Sequence, residues 1–410
     1  MAVLTTLPSL STQARRCQPG LGRAAGQPSK RHMPAGEEAP ALVVQRVWDA
    51  VFGEGVAVDQ TATFAGLTPS GTACTCDAIA LSLARAGLLR PSASGLTSIE
   101  FGCGVAADLS EHVRRLTAEA GGTELRQLLV DRKPEPGSAA RHQRVAAAGD
   151  AIEPEGVFER LTVDIGDLDL PAVLRSADGT ASPVIGMAKH LCGEGTDLAL
   201  QAMASVVAGR DRSVSVALMG CCHGTCRWNS YANREFFSNH ATTIDGEQTF
   251  ECICAVAGTS SVVYREVTAA ATAAAAEVAA VIGEDNTEAV AAQAERIAAV
   301  VIADMIRVVA AASDPSAATA TMSAALDYDA GGGGQGQVAE IADGAARAAA
   351  GSHVGSLRVA LQATRLLEEG RRRYLLALGF QDATLLSELV PHEVTVDSTL
   401  LLARRPAACC

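Results

Sequence analysis

Residues 98–113 read SIEFGCGVAADLSEHV, an apolar run that ends in glycines and leads into a polar helical pattern. Ser98 to Phe101 has the composition of a strand, and the glycines that follow let the backbone pass close to a ligand. Asp108 to Glu111 has the spacing of a capping box, which predicts the start of a helix there. The order strand, glycine turn, helix predicts the first unit of an α/β sheet, with helix amides available to a ligand.

Two later strand-like runs each end in an acid. LRQLLVD ends in Asp131, which is suitably placed to bind a ribose diol, and RLTVD ends in Asp164, where a carboxylate can meet an adenine amine. A glycine turn followed by acids after strands two and three is the order of an S-adenosylmethionine (SAM) site. NAD-binding domains lack the acid after strand three. The predicted cofactor-binding residues are Glu100, Gly102, Gly104, Asp131 and Asp164.

Two further segments, KHLCGEGTDLAL (189–200) and CCHGTCRWNSYANREFF (221–237), close the next two apolar runs. Adjacent parallel strands would bring them to one carboxyl edge, where open α/β sheets bind ligands. Lys189 and His190 are the predicted catalytic residues, since both lie just after strand four and can take up a proton when suitably tuned. The other active-site candidates are Cys192, Asp197, Cys221, Cys222 and His223.

Each of these candidates has a purely structural alternative. Lys189 could be solvated at a strand end, and His190 could bond a neighbouring backbone group. Cysteines within strands are usually small packing residues. The spacings of the thiols along the chain match no common zinc finger, so no metal site is predicted.

The net charge of −13 excludes a global field that attracts nucleic acid, so RNA binding requires a local basic or aromatic surface. Arginine runs are often only solvated helix faces, and aromatic residues are as often buried. The candidates for phosphate contact or base stacking are Arg132, Lys133, Trp228, Tyr231 and Arg371, with Arg141, Arg144, Arg372 and Arg373 as further phosphate contacts.

Twelve cysteines in 410 residues are too few for a disulfide scaffold, which favours a reducing compartment and an intracellular location, in the nucleus or cytoplasm. No stretch is long and apolar enough to cross a bilayer, so a membrane is not an expected partner. No feature implies a protein partner.

Composition also predicts the domain organisation. The first 36 residues contain no acid, which suits either a disordered tail or an organellar transit peptide over 1–40. A helical segment is predicted for 41–96, and the α/β core that carries the predicted SAM site is expected to span 97–265 and 351–410. Residues 266–350 form an alanine-rich insertion that should be helical. This insertion reads as a tolerated low-complexity expansion, with an RNA-facing role as the less favoured alternative.

The chain resembles one family in the segments EFGCG, LLVDR, TVDIGDLDL, AKHLCGEGTDLAL and CCHGTCRWNSYANREFF, and in the C-terminal RLLEEGRRRYLLALGF and TVDSTLLLARR. These segments are similar to those of the eukaryotic enzymes that 2′-O-methylate the fourth nucleotide of the tRNA acceptor stem. The resemblance covers roughly residues 97–265 and 355–405. Two departures are that Gly224 stands where the family has histidine in a CCHH motif, and that the N-terminal zinc modules have no counterpart.

The resemblance implies a class I, Rossmann-like, SAM-dependent methyltransferase fold with SAM as cofactor and tRNA as substrate. The expected reaction is methyl transfer to a ribose 2′-hydroxyl in the acceptor stem. Two alternatives stay open at this point. One is a related SAM methyltransferase acting on protein or another RNA, and the other is a catalytically silent RNA-binding scaffold with the same fold.

Overall fold

The computed structural model describes residues 39–53, 75–90, 95–104, 107–121, 124–133, 155–175, 182–208, 212–241, 244–282, 335–386 and 399–407, together with 288, 290–295, 297–298, 301–302 and 305. The predicted tail before residue 39 lies outside the described residues, as do Arg141 and Arg144.

Seven strands form one sheet in the order β3-β2-β1-β4-β5-β7-β6. Strands β1 to β5 pair in parallel, β7 runs antiparallel to β5, and β6 runs antiparallel to β7. Their bounds are β1 Leu96–Phe101, β2 Glu124–Asp131, β3 Glu155–Thr162, β4 Val184–Cys192, β5 Val214–Cys221, β6 Gln381–Leu386 and β7 Leu400–Arg405.

Helices connect and cover the strands. The described α-helices are α1 Pro40–Phe52, α2 Thr75–Arg85, α3 Asp108–Glu119, α4 Leu170–Arg175, α5 Glu194–Val207, α6 Arg234–His240, α7 Gly246–Ala257, α8 Ser260–Ile282, α9 Gln335–Ser352 and α10 Val354–Ala377. Short 3-10 helices span Ile165–Asp167, His223–Thr225 and Trp228–Ser230. The prediction of an α/β sheet is confirmed.

The strand order reverses between β1 and β4. From β1 the chain builds outward through β2 and β3, and it then crosses back to add β4 and β5 on the other side. Ligands of open α/β sheets bind beyond the carboxyl ends of the strands at such a reversal. The fold therefore points to the ends of β1 and β4 as the place for a site.

The central strands are buried on both faces, as expected of parallel sheets. Every residue of β1 and of β5 is buried. One apolar cluster joins the sheet to α2 and α3, and a second joins it to α4, α5 and the end of α10. The layers on either side exclude water from the sheet and leave its carboxyl edge to carry polar side chains.

Helix α1 packs against the segment that follows β5. Its Val44, Val47 and Trp48 are buried in one cluster with Phe237 and Phe250. The N-terminal helical segment therefore contributes apolar surface to the support of the region around residues 221–257.

The alanine-rich residues that the structure describes are helical, as predicted. In α8 the buried positions Val267, Ala271, Ala275 and Ala279 recur every four residues, so they form one face of the helix. Small side chains on this face permit close packing against α9. Helix α8 begins at Ser260 and runs through the predicted start of the insertion at residue 266.

Among the described residues, no helix is both long enough and apolar enough to cross a bilayer.

Candidate functional site

The turn after β1 depends on two glycines. Gly102 and Gly104 have φ angles of 65° and 58°, which non-glycine residues rarely adopt. A Cβ at Gly102 would also lie 2.9 Å from Leu191 Cδ1, whereas a Cβ at Gly104 would meet open space. The turn therefore presents exposed backbone with room above it.

Asp131, at the end of β2, is joined directly to this turn. Its carboxylate accepts hydrogen bonds from Gly104 N at 3.0 Å and from Lys133 N at 2.9 Å. Each carboxylate oxygen keeps a further lone pair for another donor. From the neighbouring strand, Arg160 Nη2 donates to Gly104 O at 2.9 Å, so β3 also holds the turn.

Asp164 follows β3 and is exposed. Its carboxylate accepts a hydrogen bond from Gly166 N at 3.0 Å and so caps the 3-10 helix Ile165–Asp167. The structure thus places Gly104, Asp131 and Asp164 after three neighbouring strands of the sheet. This is the arrangement that the sequence predicted for a nucleoside cofactor.

Glu100 is buried and serves the start of α3. Its Oε2 accepts hydrogen bonds from Ser110 N at 2.9 Å and from Ser110 Oγ at 2.6 Å. Burial raises the pKa of Glu100 to about 7, although Ser110 and the charge of Lys189 act in the opposite direction. Glu100 therefore holds the first turn of α3, the helix that follows the glycine turn.

The predicted capping box at Asp108 is wrong. The N-cap of α3 is Ala107, in a left-handed conformation without a side-chain cap, and Asp108 is the first helical residue. Glu111 pairs with Arg114 instead of reaching back to the N-cap. Glu100 takes over part of the capping, since it satisfies a backbone amide in the first turn of α3.

Lys189 and His190 lie at the end of β4, where the sheet is irregular. The pairing of β4 with β5 shifts between Lys189 and Leu191, and His190 has a φ angle of 52°. Lys189 Nζ lies 3.9 Å from Asp108 Oδ2, and the Lys189 side chain is 30% exposed. Lys189 therefore lies beside the start of α3, and His190 is the next residue of the same strand end.

The cysteines at the ends of β4 and β5 and in the segment after β5 lie in two groups. Cys192, Cys221 and Cys222 bring their sulfur atoms within 4.8 Å of one another at the strand ends. Cys226 is buried elsewhere, where its Sγ accepts a hydrogen bond from Arg371 Nη2 at 3.2 Å. A hydrogen bond from Cys254 and the charge of Arg371 lower the pKa of Cys226 to about 7 despite its burial.

A buried ionic network lies behind the strand ends. Arg371 Nη2 lies 2.7 Å from Asp197 Oδ2, and Arg371 Nη1 lies 2.6 Å from Glu368 Oε1. His223 Nε2 also contacts Glu368 Oε1, at 2.8 Å. The network connects α5, α10 and the segment after β5.

Opposite charges in this network stabilise the ionised forms of Glu368 and Arg371. Burial alone would raise the pKa of Glu368, but Arg371 and His223 bring it down to about 2. Burial disfavours a charged guanidinium, yet Asp197 and Glu368 raise the pKa of Arg371 above its usual value. Arg371 and Glu368 are therefore a cation and an anion, and His223 Nε2 donates a hydrogen bond to the carboxylate.

These contacts correct two predictions. Arg371 is 1% exposed, so it does not reach an RNA phosphate, and that prediction is wrong. Tyr231 is also buried, packs against Phe250 and donates its hydroxyl to Leu367 O, so the prediction that it stacks on a nucleotide is wrong too. Asp197 and His223 are buried in the network and do not line an open site.

Other RNA-contact candidates remain accessible. Arg132 and Lys133 are exposed directly after Asp131, at the carboxyl edge of the sheet. Trp228 is half-buried and packs against Phe250, with ring centroids 5.6 Å apart. Arg372 and Arg373 both pair with Glu369 on α10.

Sequence reasoning missed the roles of Ser110, Arg160 and Glu368. A signal for Glu368 exists in the spacing Glu368–Arg371, because residues three apart on a helix lie on the same side. The partners of Ser110 and Arg160 lie on other elements, so no local pattern identifies them.

Residues 77–301 match the protein family described as methyltransferase TRM13. The match covers more than half of the 410-residue chain. The chain belongs to the methyltransferase TRM13 family. The matched range includes the glycine turn, the acids Glu100, Asp131 and Asp164, and the two cysteine-containing segments 189–200 and 221–237.

Individual members of the TRM13 family show moderate identity. The tRNA:m(4)X modification enzyme TRM13 of Schizosaccharomyces pombe is 30% identical over 164 residues, which cover 39% of this chain and 40% of that protein. The enzyme of that name from Vanderwaltozyma polyspora is 29% identical over 143 residues, which cover 34% of this chain and 32% of that protein. The Homo sapiens homologue is 30% identical over 121 residues, which cover 20% of this chain and 24% of that protein.

The chain thus spans less than half the length of these TRM13 relatives. No solved structure matches the chain.

The departure at Gly224 has a structural counterpart. A Cβ at Gly224 would lie 2.9 Å from the Cα of Gly258, at the end of α7. The two backbones approach closely, which leaves no space for a histidine side chain in this arrangement. At the position where the family motif CCHH has its second histidine, this chain has Gly224, which packs against Gly258.

Proposed function

We propose that the chain transfers a methyl group from SAM to a ribose 2′-hydroxyl in the acceptor stem of tRNA. The observation that carries the proposal is the junction of the glycine turn with Asp131, beside the strand end that holds Lys189 and His190. Membership of the methyltransferase TRM13 family supports methyl transfer. The names of the relatives, which are tRNA modification enzymes, support tRNA as the substrate.

The strand order and the antiparallel β7 are consistent with a class I, Rossmann-like methyltransferase fold. The proposed methyltransferase core comprises residues 97–265 and 351–410, with the alanine-rich residues 266–350 inserted between its parts.

The residues present fit a nucleoside cofactor. Open space above Gly104 leaves room at the turn, and Asp131 keeps lone pairs for ribose hydroxyls. Asp164 is exposed after the next strand and can accept from an adenine amine. When bound, SAM would supply an electrophilic methyl group on a sulfonium.

The acceptor hydroxyl must lose a proton during transfer, and the end of β4 offers two groups for this. Lys189 Nζ lies 3.9 Å from Asp108 Oδ2 at the start of α3, and we assign Lys189 to orienting the ribose or an adjacent phosphate. His190, held beside it by the irregular end of β4, is the proposed proton acceptor. A general base of this kind contributes roughly 10²- to 10⁴-fold to a rate.

The exposed Arg132 and Lys133 are proposed to contact tRNA phosphates. They follow Asp131 and therefore lie at the carboxyl edge that carries the other proposed site residues. With a net charge of −13, the chain depends on such local basic positions for attraction to RNA. The half-exposed Trp228 is a proposed stacking surface.

The test is single-turnover methyl transfer to tRNA, with the modified position mapped by mass spectrometry and SAM binding measured by calorimetry. His190→Ala and Lys189→Ala should each lower the rate with little change in SAM affinity, because these groups act on the acceptor. Lys189→Arg should retain more activity than Lys189→Ala. Replacement of His190 should remove the rise of the rate with pH.

Three outcomes would overturn the proposal or parts of it. A chain that binds no SAM would be a scaffold. Methyl transfer to protein or to another RNA, with none to tRNA ribose, would support the related-enzyme alternative. Full single-turnover activity in both alanine variants would remove Lys189 and His190 from the mechanism.

A further inference from the structure

The carboxyl ends of β4 and β5 bring three thiols together. Sγ of Cys192 lies 3.3 Å from Sγ of Cys221, and with Cys222 the three sulfur atoms lie within 4.8 Å of one another. Cys192 and Cys222 are exposed, and Cys221 is buried. The described residues contain no other grouping of three or more His, Cys, Asp or Glu side chains at such distances.

Two local irregularities produce this convergence. The register shift at His190 places Cys192 opposite Cys221, whereas regular pairing from Lys189 onward would place Cys192 opposite the following residue. Cys222 then adopts a left-handed conformation with a φ angle of 53°. Left-handed backbone at non-glycine residues persists where the surrounding structure requires it, and it is concentrated at functional sites.

The distances suit a single tetrahedral ion. Zinc binds thiolates at about 2.3 Å, so two sulfur ligands of one zinc lie about 3.8 Å apart. That value lies between the 3.3 Å that separates Cys192 Sγ from Cys221 Sγ and the 4.8 Å within which all three sulfur atoms lie. A disulfide would require two sulfurs at about 2.05 Å and would leave the approach of the third thiol without a role.

We propose that Cys192, Cys221 and Cys222 bind one zinc(II) ion as thiolates. Each thiol releases its proton when it binds, so three thiols and Zn²⁺ give a zinc tris(thiolate) and three protons, with no change of oxidation state. The exposure of Cys192 and Cys222 leaves the fourth position of the ion open to water.

The ion would join the ends of β4 and β5 to the turn that follows β5. Lys189 and His190 lie three and two residues before Cys192, so the bound ion would hold the end of β4 that carries them. The buried network of Arg371 and Glu368 supports the segment after β5 separately. Zinc binding does not rest on the proposed methyl transfer and can be measured without it.

The test uses the full chain, purified under reducing conditions and stripped of metal by a chelator. Cobalt(II) should bind with one equivalent and produce thiolate-to-cobalt charge-transfer absorption, which zinc(II) then abolishes by displacement. Cys192→Ser and Cys222→Ser should each weaken binding by more than about 10-fold, the lower end of what even outer-shell changes cause. Cys252→Ser, a thiol on α7 outside the cluster, should bind cobalt like the wild type.

A second measurement works on the unaltered chain. Zinc should protect Cys192 and Cys222 from alkylation by iodoacetamide, as read by peptide mass spectrometry, while the reactivity of Cys252 should not change. The proposal is overturned if the wild type shows no charge-transfer absorption, if that absorption survives in both serine variants, or if zinc protects none of the three cysteines.

Discussion

Arg371 on α10 and Asp197 on α5 form an ion pair in the interior, with Nη2 and Oδ2 2.7 Å apart and with side chains that are 1% and 0% exposed. A second contact joins Arg371 Nε to Asp197 Oδ1 at 3.2 Å. The pair fastens the C-terminal helix to the helix that follows the end of β4. Residues 174 positions apart thereby hold one side of the candidate site.

Breaking this pair should be strongly destabilising. Arg371→Met leaves the carboxylates of Asp197 and Glu368 buried without their cation, and loss of one partner of a buried pair costs about 3–5 kcal/mol. Chemical denaturation would measure the loss in free energy of unfolding. Arg227→Ala provides the control, since its partner Glu194 is 3.6 Å away and Arg227 is 72% exposed. Equal stability of the two variants would refute a supporting role for the network.

Glu100 should make stability depend on pH. Burial raises its pKa from 4.5 to about 7, so the folded state binds a proton more tightly than the unfolded state. The stabilisation is present below pH 4.5 and is lost as the pH rises to about 7. The wild type should therefore lose on the order of 3 kcal/mol relative to Glu100→Gln across that range.

Urea unfolding of the wild type and Glu100→Gln at several pH values would check this. Glu119→Gln, at the exposed end of α3, should follow the wild type at every pH. A stability difference between the wild type and Glu100→Gln that stays constant from pH 4.5 to 7 would show that folding does not shift the pKa of Glu100.

The cofactor proposal predicts graded losses of SAM affinity. Asp131→Ala removes an acceptor from the ribose and also the anchor of Gly104 N, and each charge-assisted hydrogen bond contributes about 1.5–3 kcal/mol. Gly102→Val should lose more, because φ is positive there and a side chain would meet Leu191. Calorimetry with SAM measures both, with Glu119→Ala as the surface control. Wild-type affinity in both site variants would show that SAM binds elsewhere.

The alanine-rich insertion should be dispensable for the cofactor site. The described residues between 266 and 350 pack in a cluster with Val263, Val354 and Leu357, and none of them belongs to the two clusters that cover the sheet. Replacement of residues 270–350 by a short Gly/Ser linker should leave SAM affinity unchanged. Calorimetry and circular dichroism would read the outcome, and loss of cooperative unfolding would mean that these helices support the core.

Much of the candidate site was open to prediction because it rests on local patterns. Gly102 and Gly104 were expected to form the turn after β1, since a short apolar run followed by glycine and a helical pattern encodes strand, turn and helix within a few residues. Asp131 follows its strand in the same way, and adjacent strand ends of a parallel sheet share one edge. The helical character of the alanine-rich residues is likewise a local propensity.

Only the tertiary structure decided the roles of side chains whose partners are distant in sequence. Arg371 belongs to a run of three arginines, and no local signal shows that this one faces the interior toward Asp197 while its neighbours pair with Glu369. The three thiols meet only because the register of β4 and β5 shifts by one residue. Side-chain partnership depends on packing and strand register, and these arise from contacts across the whole sheet that no local segment of the sequence contains.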